Sequence, residues 1–154
     1  MNCWKVKIMK EATKKFLKYR PNAKYIERVE HRPNNNYKQR ECISMTIMEA
    51  KNFGSEFISG WLVDDYRTDI EATPIIHHCW NIQKNGTHYD TIPVIEKKYD
   101  YVSDPDVNKP YKYKERFYWS PVIYLNDELK IIIPNGKQAT ITEEEHKRFI
   151  NEHQ

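Results

Sequence analysis

The sequence predicts an α+β chain forming one domain, and three observations carry that expectation. Apolar residues recur at helical spacing in the first third of the chain and again in a short closing segment. From residue 57 onward the pattern changes to short runs rich in β-branched and aromatic residues, as strands require. Asn-Gly and Asn-Asp pairs separate those runs, and such pairs close antiparallel hairpins. The 154 residues suffice for a single hydrophobic core, and no repeat or linker composition divides them.

The elements follow in order. Residues 4–19 predict an amphipathic helix with Ile8, Ala12, Phe16 and Leu17 on one side and lysines around the rest. Pro21 ends it. Residues 23–31 alternate loosely through Tyr25, Ile26 and Val29 and suit either a second short helix or a strand. RPNNNYKQR has no core-facing pattern and predicts a loop. ECISMTIMEAKN then predicts a helix with Ile43, Ile47 and either Ala50 or Met48 turned inward, stopped at Gly54.

The strand region begins with FISGWLV, which reads as a largely buried strand. After a polar connection IIHHCWNI predicts a second, KNGT a hairpin turn, and HYDTIPVI the antiparallel return. DYVSDPDVNKPYKYKER, crowded with Tyr and Lys, is expected to be a surface excursion. FYWSPVIYL and LKIIIP predict two more strands joined at Asn126-Asp127, with PNG at 134–136 as a further turn. A helix starting at Thr142, with Thr142 and Glu145 as a capping box, closes the chain.

Composition narrows the class. Hydrophobic content is only 39%, but eleven Tyr, five Phe and four Trp supply rings large enough to close a core. No apolar run approaches the roughly 20 residues a membrane-spanning helix needs. The lysine-studded first residues lack the apolar stretch of a secretory signal. The expectation is therefore a cytoplasmic protein with no membrane partner. Cys3, Cys42 and Cys79 are too few and odd in number for a disulfide scaffold, so free thiols are expected.

A free thiol permits nucleophilic chemistry, and the order of residues here suits it. Cys42 falls where a helix begins, so its thiolate would gain from free N–H groups and the helix dipole. An imidazole within reach would take its proton, and a carboxylate behind the imidazole would fix tautomer and orientation. His78 and Asp90 lie on neighbouring strands of the expected hairpin. Singly, each has a plainer reading: a small buried Cys, a hydrogen-bonded core His, a strand-end Asp. The hairpin register decides which histidine serves. A two-residue type I′ turn at Asn85-Gly86 puts Asp90 on the face of His77; a three-residue loop with a Gly86 bulge puts it on the face of His78.

These residues resemble the transglutaminase-like superfamily, whose members carry a pattern close to C…G-[YW]…H-A-W-N…G…D-x-T. The matching residues are Cys42, Gly60-Trp61, His78-Cys79-Trp80-Asn81, Gly86 and Asp90-Thr91. The doubled His before Trp is also similar to small uncharacterised phage and bacterial proteins. The resemblance spans roughly residues 39–93. It implies a papain-like fold and a cysteine-dependent acyl-transfer or amide-hydrolysing enzyme, with Cys42 as nucleophile, His78 as base, Asp90 as orienting acid, a protein or peptide substrate and no cofactor. Cys79 departs from the usual Ala. Gln39, Tyr37 and the Cys42 backbone N–H are the candidate oxyanion donors.

Two rivals stand beside that reading. His77, His78, Cys79 and His88 are metal-ligand types on one hairpin, but adjacent strand residues face opposite ways and no ligand-spacing motif supports a metal site. A non-catalytic protein binding nucleic acid or another partner is the second. It would use the basic N-terminal residues and KPYKYKERFYW, where Tyr and Lys interleave and the net charge of +3 assists. Trp61 and Trp80 are expected to be core rings.

Overall fold

The computed structural model describes residues 8–36, 42–93, 98–113, 115–134 and 139–141. It is an α+β structure, with two helices set against a mostly antiparallel sheet. Helix α1 spans Glu11–Tyr19 and α2 spans Cys42–Phe53. The strands are β1 (Lys24–Ile26), β2 (Val29–His31), β3 (Glu56–Val63), β4 (Ala72–Ile82), β5 (His88–Asp90), β6 (Asp100–Ser103), β7 (Tyr111–Tyr113), β8 (Arg116–Tyr118), β9 (Val122–Asn126), β10 (Ile131–Ile133) and β11 (Ala139–Ile141). None of the described helices is long and apolar enough to cross a membrane.

The main sheet runs β1-β6-β3-β4-β9-β10-β11, and β7 and β8 form a separate ribbon. Strand β4 is the axis. One of its edges pairs with β3 along its length, from Glu56↔Ile82 to Val63↔Ile75. Its other edge is shared between two strands. β9 takes Ala72 to Ile76, and β5 takes Asn81 and Ile82, with β2 added to β5 in parallel. His77 N–H reaches Pro121 O at 2.7 Å just past the end of β9. Backbone groups alternate sides along a strand, so the Cys79 N–H points into the notch between β9 and β5.

The hairpin follows the three-residue alternative. Gln83 N–H donates to Thr87 O at 2.9 Å, so Lys84-Asn85-Gly86 are the loop. Gly86 has φ +88°, the left-handed backbone that a side chain disfavours. Asn81 then faces Tyr89 across the ladder. His78, Trp80 and Asp90 share one face, while His77, Cys79 and Asn81 share the other.

Both helices lie on the His77–Cys79–Asn81 face. Phe16 of α1 meets Trp61 edge-on with ring centroids 5.8 Å apart, and Val63, Ile75, Val102, Ile123 and Ile131 complete that core. The helix begins later than its apolar spacing predicts: Ile8 precedes it and is exposed, and residues 4–7 lie outside the described set. Residues 23–31 form β1 and β2 rather than a helix. Gly54, at φ +69°, ends α2 as expected.

Two expectations are corrected. The inward face of α2 is Met45, Thr46 and Glu49, whereas Ile43, Ile47 and Met48 are each about half exposed at 52%, 49% and 51%. The sheet beneath presents polar partners: Asn81 Nδ2 donates to Thr46 O at 2.9 Å, and the Tyr89 hydroxyl donates to Glu49 Oε1 at 3.2 Å. Leaving such buried groups unpaired would cost about 1–3 kcal/mol each.

The Tyr- and Lys-rich segment after residue 100 is not a surface excursion. β6 lies inside the sheet between β1 and β3, with Tyr101 and Val102 buried on opposite faces. Asp104 accepts from Arg20 Nε at 2.7 Å and from Trp61 Nε1 at 2.8 Å. The buried Arg20 guanidinium lies 5.1 Å from the Tyr111 ring centroid and 5.8 Å from that of Trp61, and also donates to Asp106 O. Its charge is compensated on every side. β10 matches the last expected strand, but the strand expected over 117–125 is split at residues 119–121 into β8 and β9, which lie in different sheets, and β11 was not expected; the turn at 134–136 and the helix from Thr142 fall outside the described residues save for Pro134.

Candidate active site

Cys42 is the first residue of α2, half-buried, one turn before Thr46, whose carbonyl accepts from Asn81 of β4. Three groups act on the charge of its sulfur: the Cys79 thiol, the His78 ring and the Cys79 backbone N–H. The notch explains how His78 and Cys79 reach one sulfur although they lie on opposite faces. An atom held at the edge, level with the sheet, is accessible to side chains from both sides. The buried face of α2 follows the same geometry, since Cys42, Thr46 and Glu49 lie one and two turns apart on one stripe.

His78 is buried and fixed by its other ring nitrogen. Nε2 sits 2.7 Å from Asp90 Oδ2, so the proton shared with the Cys42 sulfur is the one on Nδ1. Asp90 is held in turn. The Tyr101 hydroxyl donates to Oδ2 at 2.7 Å and the Ile92 N–H donates to Oδ1 at 3.1 Å. Ring packing sets the plane of the imidazole: Trp80 stacks on it with an interplanar angle of 18°, and Tyr101 meets it edge-on. Trp80 is itself tethered, donating from Nε1 to His88 Nδ1 at 3.0 Å; burial lowers the His88 pKa and keeps that nitrogen an acceptor.

Gly60 makes this arrangement possible. It lies opposite His78 in the β3–β4 ladder. A Cβ there would fall 2.0 Å from Val102 O and 2.8 Å from the Trp80 ring. The glycine leaves the space that the indole under His78 occupies.

The electrostatics favour an ion pair. The Cys42 pKa is drawn down to about 4; the Cys79 S–H donating to it contributes most, burial opposes, and the His78 ring and Cys79 amide add to the fall. For His78, burial is the largest influence and favours the neutral ring. Hydrogen bonds and charge from Asp90 and Cys42 outweigh it and raise the pKa to about 9. Between those values the pair is thiolate and imidazolium. Asp90 is kept ionised against burial by His78, Tyr101 and the Ile92 amide. Cys79 is pushed the other way, chiefly by donating to Cys42 and then by burial, so it stays a thiol.

Of the residues the sequence singles out, Cys42, His78 and Asp90 come together. His77 does not join them. Its ring sits between Trp61 and Trp119 on the opposite face, and burial lowers its pKa. Among the described residues no three His, Cys, Asp or Glu side chains gather as metal ligands would, and His88 is engaged with Trp80. Tyr37 and Gln39 lie outside the described residues. Trp61 and Trp80 are core rings, at 1% and 0% exposure.

Sequence reading missed Tyr101 and undervalued Cys79. Tyr101 was hidden in the segment read as surface, although Tyr101 and Ser103 alternate there with Asp100, Val102 and Asp104 as strand residues do. The same alternation, applied to β4, places Cys79 opposite Ser59, but nothing in sequence brings it to Cys42. No protein family, curated protein or solved structure matches this chain.

Proposed function

We propose that this protein is a cysteine-dependent acyl-transfer or amide-hydrolysing enzyme with a papain-like, transglutaminase-like arrangement. One observation carries the reading: His78 is backed by Asp90 at 2.7 Å, and the same imidazole helps draw the Cys42 thiol pKa down. A nucleophile at a helix start, packed on an antiparallel sheet that supplies the imidazole and carboxylate, agrees with the resemblance of residues 39–93.

The chemistry follows from those three groups. The Cys42 thiolate attacks an acyl carbon, and the carbonyl oxygen takes up negative charge. The Cys42 backbone N–H, a first-turn amide with no helical partner, is a donor for it. His78 then gives its Nδ1 proton to the departing amine or alcohol, leaving a thioester on Cys42. The neutral ring next accepts a proton from water or a second amine, which attacks the thioester and releases the thiolate. Asp90 holds Nε2–H throughout and stabilises the imidazolium. Ile43, Ile47 and Met48, half exposed along the helix that starts at Cys42, suit a protein or peptide acyl donor.

An activated ester tests the proposal without knowledge of the substrate. With p-nitrophenyl acetate the chain is expected to release a burst of nitrophenolate and to carry one acetyl group on the Cys42 peptide. Cys42→Ala should abolish both while retaining its circular dichroism. An equal burst from that variant would remove Cys42 from the mechanism.

A further inference from the structure

We propose that Cys79 is a resolving thiol: when peroxide converts Cys42 to a sulfenic acid, Cys79 condenses with it to a Cys42–Cys79 disulfide that reversibly shuts the site. The inference rests on the same thiolate as the proposed function, but not on acyl transfer.

The packing of α2 on β4 brings the two sulfurs together: Thr46 O accepts from Asn81 Nδ2 at 2.9 Å, Cys42 lies one helical turn before Thr46, and Cys79 lies two residues before Asn81 on the same face. Their exposure sets the order of events. Cys42 is half-buried at the notch and meets oxidant first, whereas Cys79 is 2% exposed and shielded by the sheet. Cys79 is also well fixed. It sits inside the β3–β4 ladder opposite Ser59, whose Oγ lies 3.6 Å from its sulfur. Cys42 belongs to the first turn of α2, where backbone N–H groups have no helical partners to hold them. Closing to a bond of about 2.05 Å therefore falls to a movement of that turn toward β4.

The steps balance. The Cys42 thiolate attacks one oxygen of hydrogen peroxide; an S–O bond forms, the O–O bond breaks, and the departing hydroxide leaves as water with the proton of the His78 imidazolium. The sulfur loses two electrons and the peroxide gains them. The Cys79 sulfur then attacks the Cys42 sulfur. An S–S bond forms, the S–O bond breaks, and the hydroxyl departs as water with the Cys79 proton. The first step activates the second, because the anionic sulfur that holds the Cys79 proton in place becomes neutral. A small-molecule thiol reverses the bond by exchange. Without a resolving partner the sulfenic acid would proceed to sulfinic and sulfonic acids, which thiols do not reverse.

The test treats a Cys3→Ser chain with hydrogen peroxide near neutral pH, blocks remaining thiols with iodoacetamide and reads intact and peptide masses. The expected product has lost two hydrogens, yields one peptide linking Cys42 to Cys79, and regains full Cys42 alkylation after dithiothreitol. Cys79→Ser, and Cys79→Ala should the serine variant not fold, should instead gain two or three oxygens on Cys42 and recover none of its alkylation. Cys42 over-oxidising in the Cys3→Ser chain as fast as in these variants, or disulfides found only between chains, would overturn the inference. Disulfide formation without nitrophenyl-ester turnover would leave it standing and sink the acyl-transfer reading alone. Failure of Cys42 to react with either peroxide or iodoacetamide would remove both.

Discussion

Asp90 never touches the reacting sulfur, yet the charge state of Cys42 depends on it through one imidazole. Its carboxylate is the strongest influence raising the His78 pKa, and His78 in turn helps hold the thiol ionised. Asp90→Asn should therefore lower the His78 pKa and raise that of Cys42. The pH at which iodoacetamide alkylation reaches half of its plateau should therefore move up from near 4 by about one unit or more, and below that midpoint each unit is worth a factor of ten in thiolate. In the parent, alkylation should follow a group titrating near 4 rather than near the ordinary thiol value. Tyr101→Phe removes a donor to the same carboxylate. A hydrogen bond to a buried charge is worth about 1.5–3 kcal/mol, and urea denaturation should show a loss of that order. The importance of Tyr101 illustrates what residue types alone conceal. Cys, His and Asp announce chemistry by kind, whereas a tyrosine amid lysines looks like surface until a strand buries it.

Among the elements, β3 and β4 position the site, and Gly60 is where their packing is tightest. Gly60→Ala would drive a methyl group into Val102 O and the Trp80 ring. Over-packing of this kind costs about 1–3 kcal/mol, with more expected here because one obstacle is backbone. The thermal midpoint should fall. The pH midpoint of Cys42 alkylation should rise with it, because the indole under His78 must shift. Much at this scale was legible. The period change at residue 57, the Asn-Gly turn and the alternation of His77 and His78 follow from local chemistry. The register was narrowed to two alternatives, and no local property separates them because both loops accept Asn-Gly. The facing of α2 was misjudged for a related reason. Apolar count favoured Ile43 and Ile47, but the partners awaiting Thr46 and Glu49 belong to β4 and β5, more than thirty residues away.

For the whole molecule, the ion pair links stability to pH. The folded thiol titrates near 4 and the unfolded one near 9; the folded imidazole titrates near 9 and the unfolded one near 6.5. Between pH 4 and 6.5 the unfolded chain binds one more proton at this pair, so its contribution to stability grows as pH rises. From 6.5 to 9 both states bind one proton there, and the contribution is level. In Cys42→Ala only His78 remains. Its pKa, raised by Asp90, gives stability that is complete below 6.5 and declines above. The difference between parent and variant melting temperatures should thus widen steadily from pH 4 upward. A constant difference would mean that the thiol is not ionised in the fold.

The sheet order carries a consequence for how the chain assembles in time. Among the described residues β1 pairs only with β6 and β2 only with β5, and the guanidinium of Arg20 is held by groups at positions 104–111. β1, β2 and Arg20 therefore wait for partners about sixty to ninety positions later in synthesis. Such distant pairings close long loops and slow folding. A nascent chain halted at residue 99 would hold the hairpin that carries His78 and Asp90, but β1 would lack its neighbour and Arg20 its counter-ion. The leading segment would still be open to protease when the hairpin is already formed, and limited proteolysis of ribosome-stalled chains would reveal that order.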